Sequence, residues 1–145
     1  MINHALIENL QCQILNLQYQ NDDYQRESHK LNGYQKTVAE AKRKLDAQKA
    51  EYERAISLEN NALDTIERSI IHRHTISYCD ELRSKLVGSC QRRTNTVEAF
   101  FLIGKELSDG ENRLGKRLYE LHSMIAANNR SIEQLRFRIR VLMET

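Results

Sequence analysis

Apolar residues recur every seven positions through both ends of this chain, and that period leaves few folds open. Toward the N-terminus one ladder runs Leu10, Leu17, Tyr24, Leu31, Val38, Leu45, Tyr52, Glu59 and Ile66. A companion at the alternating three-and-four offset holds Ile7, Ile14, Asn21, Ser28, Gln35, Lys42, Lys49 and Ile56. The companion is apolar at its ends and polar in its middle. There the apolar stripe drifts onto Tyr34, Val38, Ala41, Leu45, Tyr52 and Ala55, as expected of a straighter helix with 3.6 residues per turn. The C-terminal ladders hold Leu107, Leu114, Leu121, Asn128, Leu135 and Leu142 on one side and Leu118, Ile125, Ile132 and Ile139 on the other. Leucine on one ladder and isoleucine on its companion is the pattern of a coiled-coil seam. The chain has no proline, where roughly seven would be average for its length. Nothing therefore forces a break in a long helix.

The pattern predicts an all-α fold of a single domain: an elongated antiparallel helical hairpin (coiled coil) with a short helical head at its tip. The first long helix is expected over about residues 5–60, roughly 80 Å at about 1.5 Å per residue, with Gly33 weakening it by about 1 kcal/mol without ending it. Residues 61–96 are expected to form the head and connection, including a short helix through Leu82, Leu86 and Val87 that stops at Gly88. The second long helix is expected over 97–143. Asn95-Thr96-Val97-Glu98 has the capping spacing of a helix start, and Ser108-Asp109-Gly110-Glu111 repeats it, so a break near 104–110 is open. Gly104, Gly110 and Gly115 read as a kink or as places of close helix approach.

Each ladder needs an apolar partner, and each can serve as the other's. Both carry one asparagine among apolar positions, and a polar residue in such a seam favours facing another. An antiparallel register that joins Asn21 to Asn128 sets Ile7 against Leu142, Leu17 against Ile132, Leu31 against Leu118 and Leu45 against Gly104. It also leaves the two termini level. A homodimer of two long chains is the competing arrangement.

Charge and composition narrow the function classes. The formal net charge is +2, from 22 basic and 20 acidic residues, and the two signs are spread evenly through the length. A nucleic-acid binder concentrates positive charge, so no nucleic acid is expected as partner. Arg130, Arg136, Arg138 and Arg140 read as a solvated face. The longest apolar run, Ala99-Phe100-Phe101-Leu102-Ile103, falls far short of the ~18 residues of a membrane span. Cys12, Cys79 and Cys90 are odd in number and irregular in spacing, which suits a reducing compartment. Cytoplasmic residence is the expectation, with leaderless export left open.

No catalytic constellation assembles. His72, His74, Cys79 and Cys90 are the only metal-like group, and their spacing matches no compact zinc pattern. Nucleophile elbows, phosphate-cradling glycine loops and His-Glu-x-x-His are lacking. The sequence reading therefore expects no enzyme, no cofactor and no metal. The candidates for contact with a partner are aromatic and apolar. Tyr24 and Tyr52 fall on the seam, whereas Tyr19 and Tyr34 lie off it, where rigid aromatics anchor partners. Phe100, Phe101, Leu102 and Ile103 cover a full helical turn, more than a two-helix seam can bury, so either the head folds back over them or another protein covers them, with Phe100, Phe101 and Ile103 as the expected partner contacts.

The long N-terminal helix, in Leu6-Ile7-Glu8-Asn9-Leu10-Gln11 through Leu17-Gln18-Tyr19-Gln20, and the closing ladder from Ser131-Ile132-Glu133-Gln134-Leu135 to Ile139 resemble the small helical-hairpin proteins of type VII secretion. The nearer likeness is to the WxG-related accessory proteins encoded beside LXG-type toxins. Two features depart from that family: Leu86-Val87-Gly88 stands where the Trp-x-Gly turn belongs, and the C-terminal Tyr-x-x-x-Asp/Glu export signal is matched only by Tyr19-Gln20-Asn21-Asp22-Asp23. The resemblance implies a chaperone or targeting partner of a secreted toxin or effector, more than a secreted factor. A second resemblance, to the coiled-coil stalk proteins of flagellar and type III export ATPases, implies a place inside an ATPase ring. A self-assembling structural coiled coil, and a small enzyme with its site in 60–96, are the remaining readings.

Overall fold

A computed structural model describes residues 3–69, 81 and 90–145. Among them two helices carry the fold, α1 (His4–Ser69) and α2 (Cys90–Glu144), and no strand occurs. The chain is an all-α helical hairpin, as the ladders require. Most of the expected head, with Leu82, Leu86, Val87, Gly88, His72, His74 and Cys79, lies outside the described residues.

Both helices run further than their sequence signals suggest. α1 continues past residue 60 to Ser69, and Leu63 on this extension is buried. α2 is already formed at Cys90, so Asn95 and Thr96 sit inside it instead of capping it. Thr96 Oγ1 donates to the Arg92 carbonyl at 2.8 Å, the back-bond of a hydroxyl within a helix. The helix also passes without interruption through Gly104 and Ser108–Glu111. Capping residues start a helix only where the preceding backbone is non-helical, and here it is helical already. The start of α1 has a true cap in Asn3, whose Oδ1 accepts from the Leu6 amide at 3.1 Å. At the end of α2 the Thr145 hydroxyl donates to the Val141 carbonyl at 3.1 Å, satisfying one of the orphaned acceptors.

Both helices contribute to two compact units, one of residues 1–37 with 111–145 and the other of 38–110. In the first, Ile7, Leu10 and Ile14 of α1 and Leu118, Leu121 and Ile132 of α2 are buried, Leu121 completely. The seam is crossed by polar layers. Asn128 Nδ2 donates to Asn21 Oδ1 at 3.0 Å, and Asn21 Nδ2 donates to Asn129 Oδ1 at 2.9 Å. Next along α1, Ser28 Oγ and His122 Nε2 lie 3.3 Å apart in a hydrogen bond. Numbers rise on α1 as they fall on α2, so the helices of this unit are antiparallel, in the register expected from the asparagines. An ion pair flanks the seam: Arg117 Nε donates to Glu27 Oε1 at 2.9 Å and Arg117 Nη2 donates to Oε2 at 3.1 Å. That fork geometry holds the Glu27 carboxyl below its ordinary range, first through the hydrogen bond and then through the charge. It raises the guanidinium in return. Arg136, Arg138 and Arg140 are exposed, with Arg140 lying 5.9 Å from the centre of the Phe137 ring.

In the second unit the seam is more open. Val38, Leu45, Tyr52 and Ile56 are half-buried on α1, as are Phe100, Gly104 and Leu107 on α2. A Cβ placed on Gly104 would stand 3.6 Å from Leu45 Cδ2, so these two positions face each other, as the same register requires. Close approach is thus real at Gly104. Gly110 meets nothing within 4 Å and is a plain helical residue.

Candidate functional site

The open seam of the second unit leaves a groove between its two helices. Lys42, Leu45, Asp46 and Lys49 line it from α1, and Phe100, Phe101, Gly104, Lys105 and Ser108 from α2. Offsets of three, four and seven residues place each set on one side of its helix. The floor is low because Gly104 contributes no side chain opposite Leu45. Phe100 turns toward α1, where its ring lies 5.9 Å from that of Tyr52 at an interplanar angle of 54°, a tilted arrangement favourable to both quadrupoles.

Phe101 is the residue left over. It is 68% exposed, against 47% for Val97 one turn earlier, and it also lines a neighbouring hollow with Arg93, Thr94, Val97 and Glu98. The two depressions therefore form one apolar track centred on Phe101. Ile103 and Leu102 are also about half exposed, at 50% and 53%, but line a different depression with Lys105, Glu106 and Asp109. The run from Phe100 to Ile103 is thus divided by helical geometry: Phe100 faces Tyr52, Phe101 faces the groove, and Ile103 faces elsewhere. Tyr19 and Tyr34 belong to the first unit and are exposed, as their places off the ladder predict. The half-buried Tyr24 and Tyr52 keep to the seam.

The groove holds about 540 Å³, within the range of small-molecule pockets, but those enclose most of their ligand and this one is open along its side. Its polar groups are three lysines, one aspartate and one serine, with no histidine or cysteine among them. Among the described residues no group of three or more His, Cys, Asp or Glu could hold a metal ion. No described helix is long and apolar enough to cross a membrane. What the arrangement supplies is apolar contact area with positive charge beside it.

The sequence pattern marked Phe100–Ile103 as a surface, but not the α1 half of the groove. Lys42 and Lys49 stand on the companion ladder, and their polarity there was the available signal that the seam opens at this level. No protein-family model, curated protein or solved structure matches this chain.

Proposed function

We propose that this protein works by helix–helix binding, without catalysis, as a chaperone or targeting partner that holds a helical segment of a secreted toxin or effector in the cytoplasm. The observation that carries the reading is Phe101, 68% exposed where two neighbouring apolar depressions meet. Removing a phenylalanine side chain from water is worth about 1.5–3 kcal/mol, enough to make it an anchor when a partner covers it. The resemblance to accessory proteins of type VII secretion supplies the class of partner.

The test is affinity capture of the tagged chain from its native lysate, with Phe101→Asp beside the wild type. Recovery of a toxin or effector by the wild type and its loss in the variant, at unchanged helicity by circular dichroism, is the expected result. Capture that is indifferent to Phe101 removes this reading. Recovery of an export ATPase would favour the stalk role, and recovery of the chain alone a self-assembling structural coiled coil.

A further inference from the structure

We infer that the groove of the second unit accepts an amphipathic helix whose apolar stripe is flanked by carboxylates. This rests on the helix-binding reading and adds the chemistry of the partner. The floor is apolar, with Leu45, Phe100, Phe101 and Gly104, and lysines stand on both sides, Lys42 and Lys49 from α1 and Lys105 from α2. Asp46 is the one carboxylate lining this groove, and Glu98 stands beside Arg93 in the neighbouring hollow. Lys49 and Lys105 are exposed, and neither makes an ion pair with another described residue. Lysine stems extend an apolar floor while their ammonium heads remain at its edges. A third helix lying along the track would rest its apolar ridge on Phe101 and Leu45 and bring its flanking positions to those heads.

The length of the track sets the size of the partner segment. From Arg93 to Ser108 it follows α2 for about four turns, or about 22 Å, so a helix of about 15 residues covers it. Charge also decides among occupants. A second copy, docked by the usual two-fold symmetry, would set the same lysines against one another, and like charges across an interface oppose association. An anionic membrane would meet Asp46 and Glu98 on the same track as the lysines. A helix places its carboxylates at chosen positions and avoids that conflict.

The experiment uses the full chain and two synthetic helical peptides with the same leucine face, one flanked by glutamates and the other by lysines. Binding is read by fluorescence anisotropy at low and high salt. The Glu-flanked peptide should bind at least about tenfold more tightly at low salt, the gap should narrow as salt screens the charges, and Lys49→Glu with Lys105→Glu should reverse the preference. Equal affinities, a preference unmoved by the lysine changes, or no binding of either peptide would overturn the inference. So would a concentration-dependent dimer lost in Phe101→Asp, or binding to phosphatidylserine vesicles with neither peptide bound. If Phe101→Asp abolishes partner capture while the lysine changes leave it intact, the helix-binding reading stands and the acidic partner falls. Capture indifferent to Phe101 removes the helix-binding reading itself.

Discussion

Asn21 accepts a hydrogen bond from Asn128 at 3.0 Å across the seam, and its own amide donates to Asn129 at 2.9 Å. Asn21 is buried, so both polar ends of its side chain are satisfied by the opposite helix. Sliding α2 by one seam position would strand that amide among leucines and isoleucines. The pair thus penalises wrong registers more than it stabilises the right one, the use for which a single asparagine in an apolar seam is best attested.

The first prediction concerns this pair. Asn128→Leu leaves the buried Asn21 carbonyl without its donor, a cost of about 1–3 kcal/mol partly offset by the new leucine. Replacing both residues by leucine removes the unsatisfied group, so the double variant should be more stable than wild type. Urea unfolding of the four proteins measures this as a double-mutant cycle. A double variant less stable than wild type contradicts it.

A second prediction follows from the register. With Cys12, Cys79 and Cys90 replaced by serine, cysteines at Ile7 and Leu142 should oxidise within one chain. Ile7 lies two heptads before Asn21 and Leu142 two heptads after Asn128, which in an antiparallel pair brings them to the same level. Non-reducing gels at low protein concentration distinguish the outcomes, and crosslinked dimers without an intrachain product would contradict the hairpin.

The Glu27–Arg117 fork should give stability a dependence on acid. Because the folded-state carboxyl is held below its ordinary value, about 4.3 for a free glutamate, the unfolded chain binds more protons between the two values. The contribution is fully present above that ordinary value and is lost as pH falls through the lowered one. Thermal melts of wild type and Glu27→Gln at several pH values should converge in acid and separate above it, wild type being the more stable. Curves that stay parallel throughout would show that the fork contributes nothing.

Helix propensity makes a fourth prediction at two glycines. A Cβ on Gly33 or Gly110 meets nothing within 4 Å, and both residues are helical without positive φ. Gly33→Ala and Gly110→Ala should each stabilise the protein by about 0.5–1 kcal/mol, since alanine loses less backbone freedom in a helix. Chemical denaturation reads the gain, and a loss at either position would mean that the glycine serves a contact the hairpin does not show.

Much of the candidate site was legible because helical spacing is regular. Tyr52 was placed on the seam and Tyr19 and Tyr34 off it by counting alone, and Phe100–Ile103 was marked because four consecutive apolar residues cannot all face one neighbour. The division of that run was not legible. Which of Phe100, Phe101 and Ile103 turns inward depends on what stands opposite, and Tyr52 lies nearly fifty residues away in the chain. The capping spacings at Asn95–Glu98 and Ser108–Glu111 misled for a related reason: they look the same whether or not the residues before them are already helical.

The sequence by itself determined the helical class and, for a chain folded on itself, the register its asparagines favour, because the seven-residue period, the absence of proline and one asparagine on each ladder are properties of the chain read in one dimension. Only tertiary structure decided that the two ladders of one chain pair with each other, that α1 runs past residue 60 and α2 is formed before Asn95, that Asn129 joins Asn128 at Asn21, that Ser28 meets His122 and Glu27 meets Arg117, and that Gly104 and Leu45 open a groove beside Phe101. Each of these depends on the distance and direction between side chains on different helices. A periodic pattern states which face a residue occupies, and the packed fold alone supplies what that face meets.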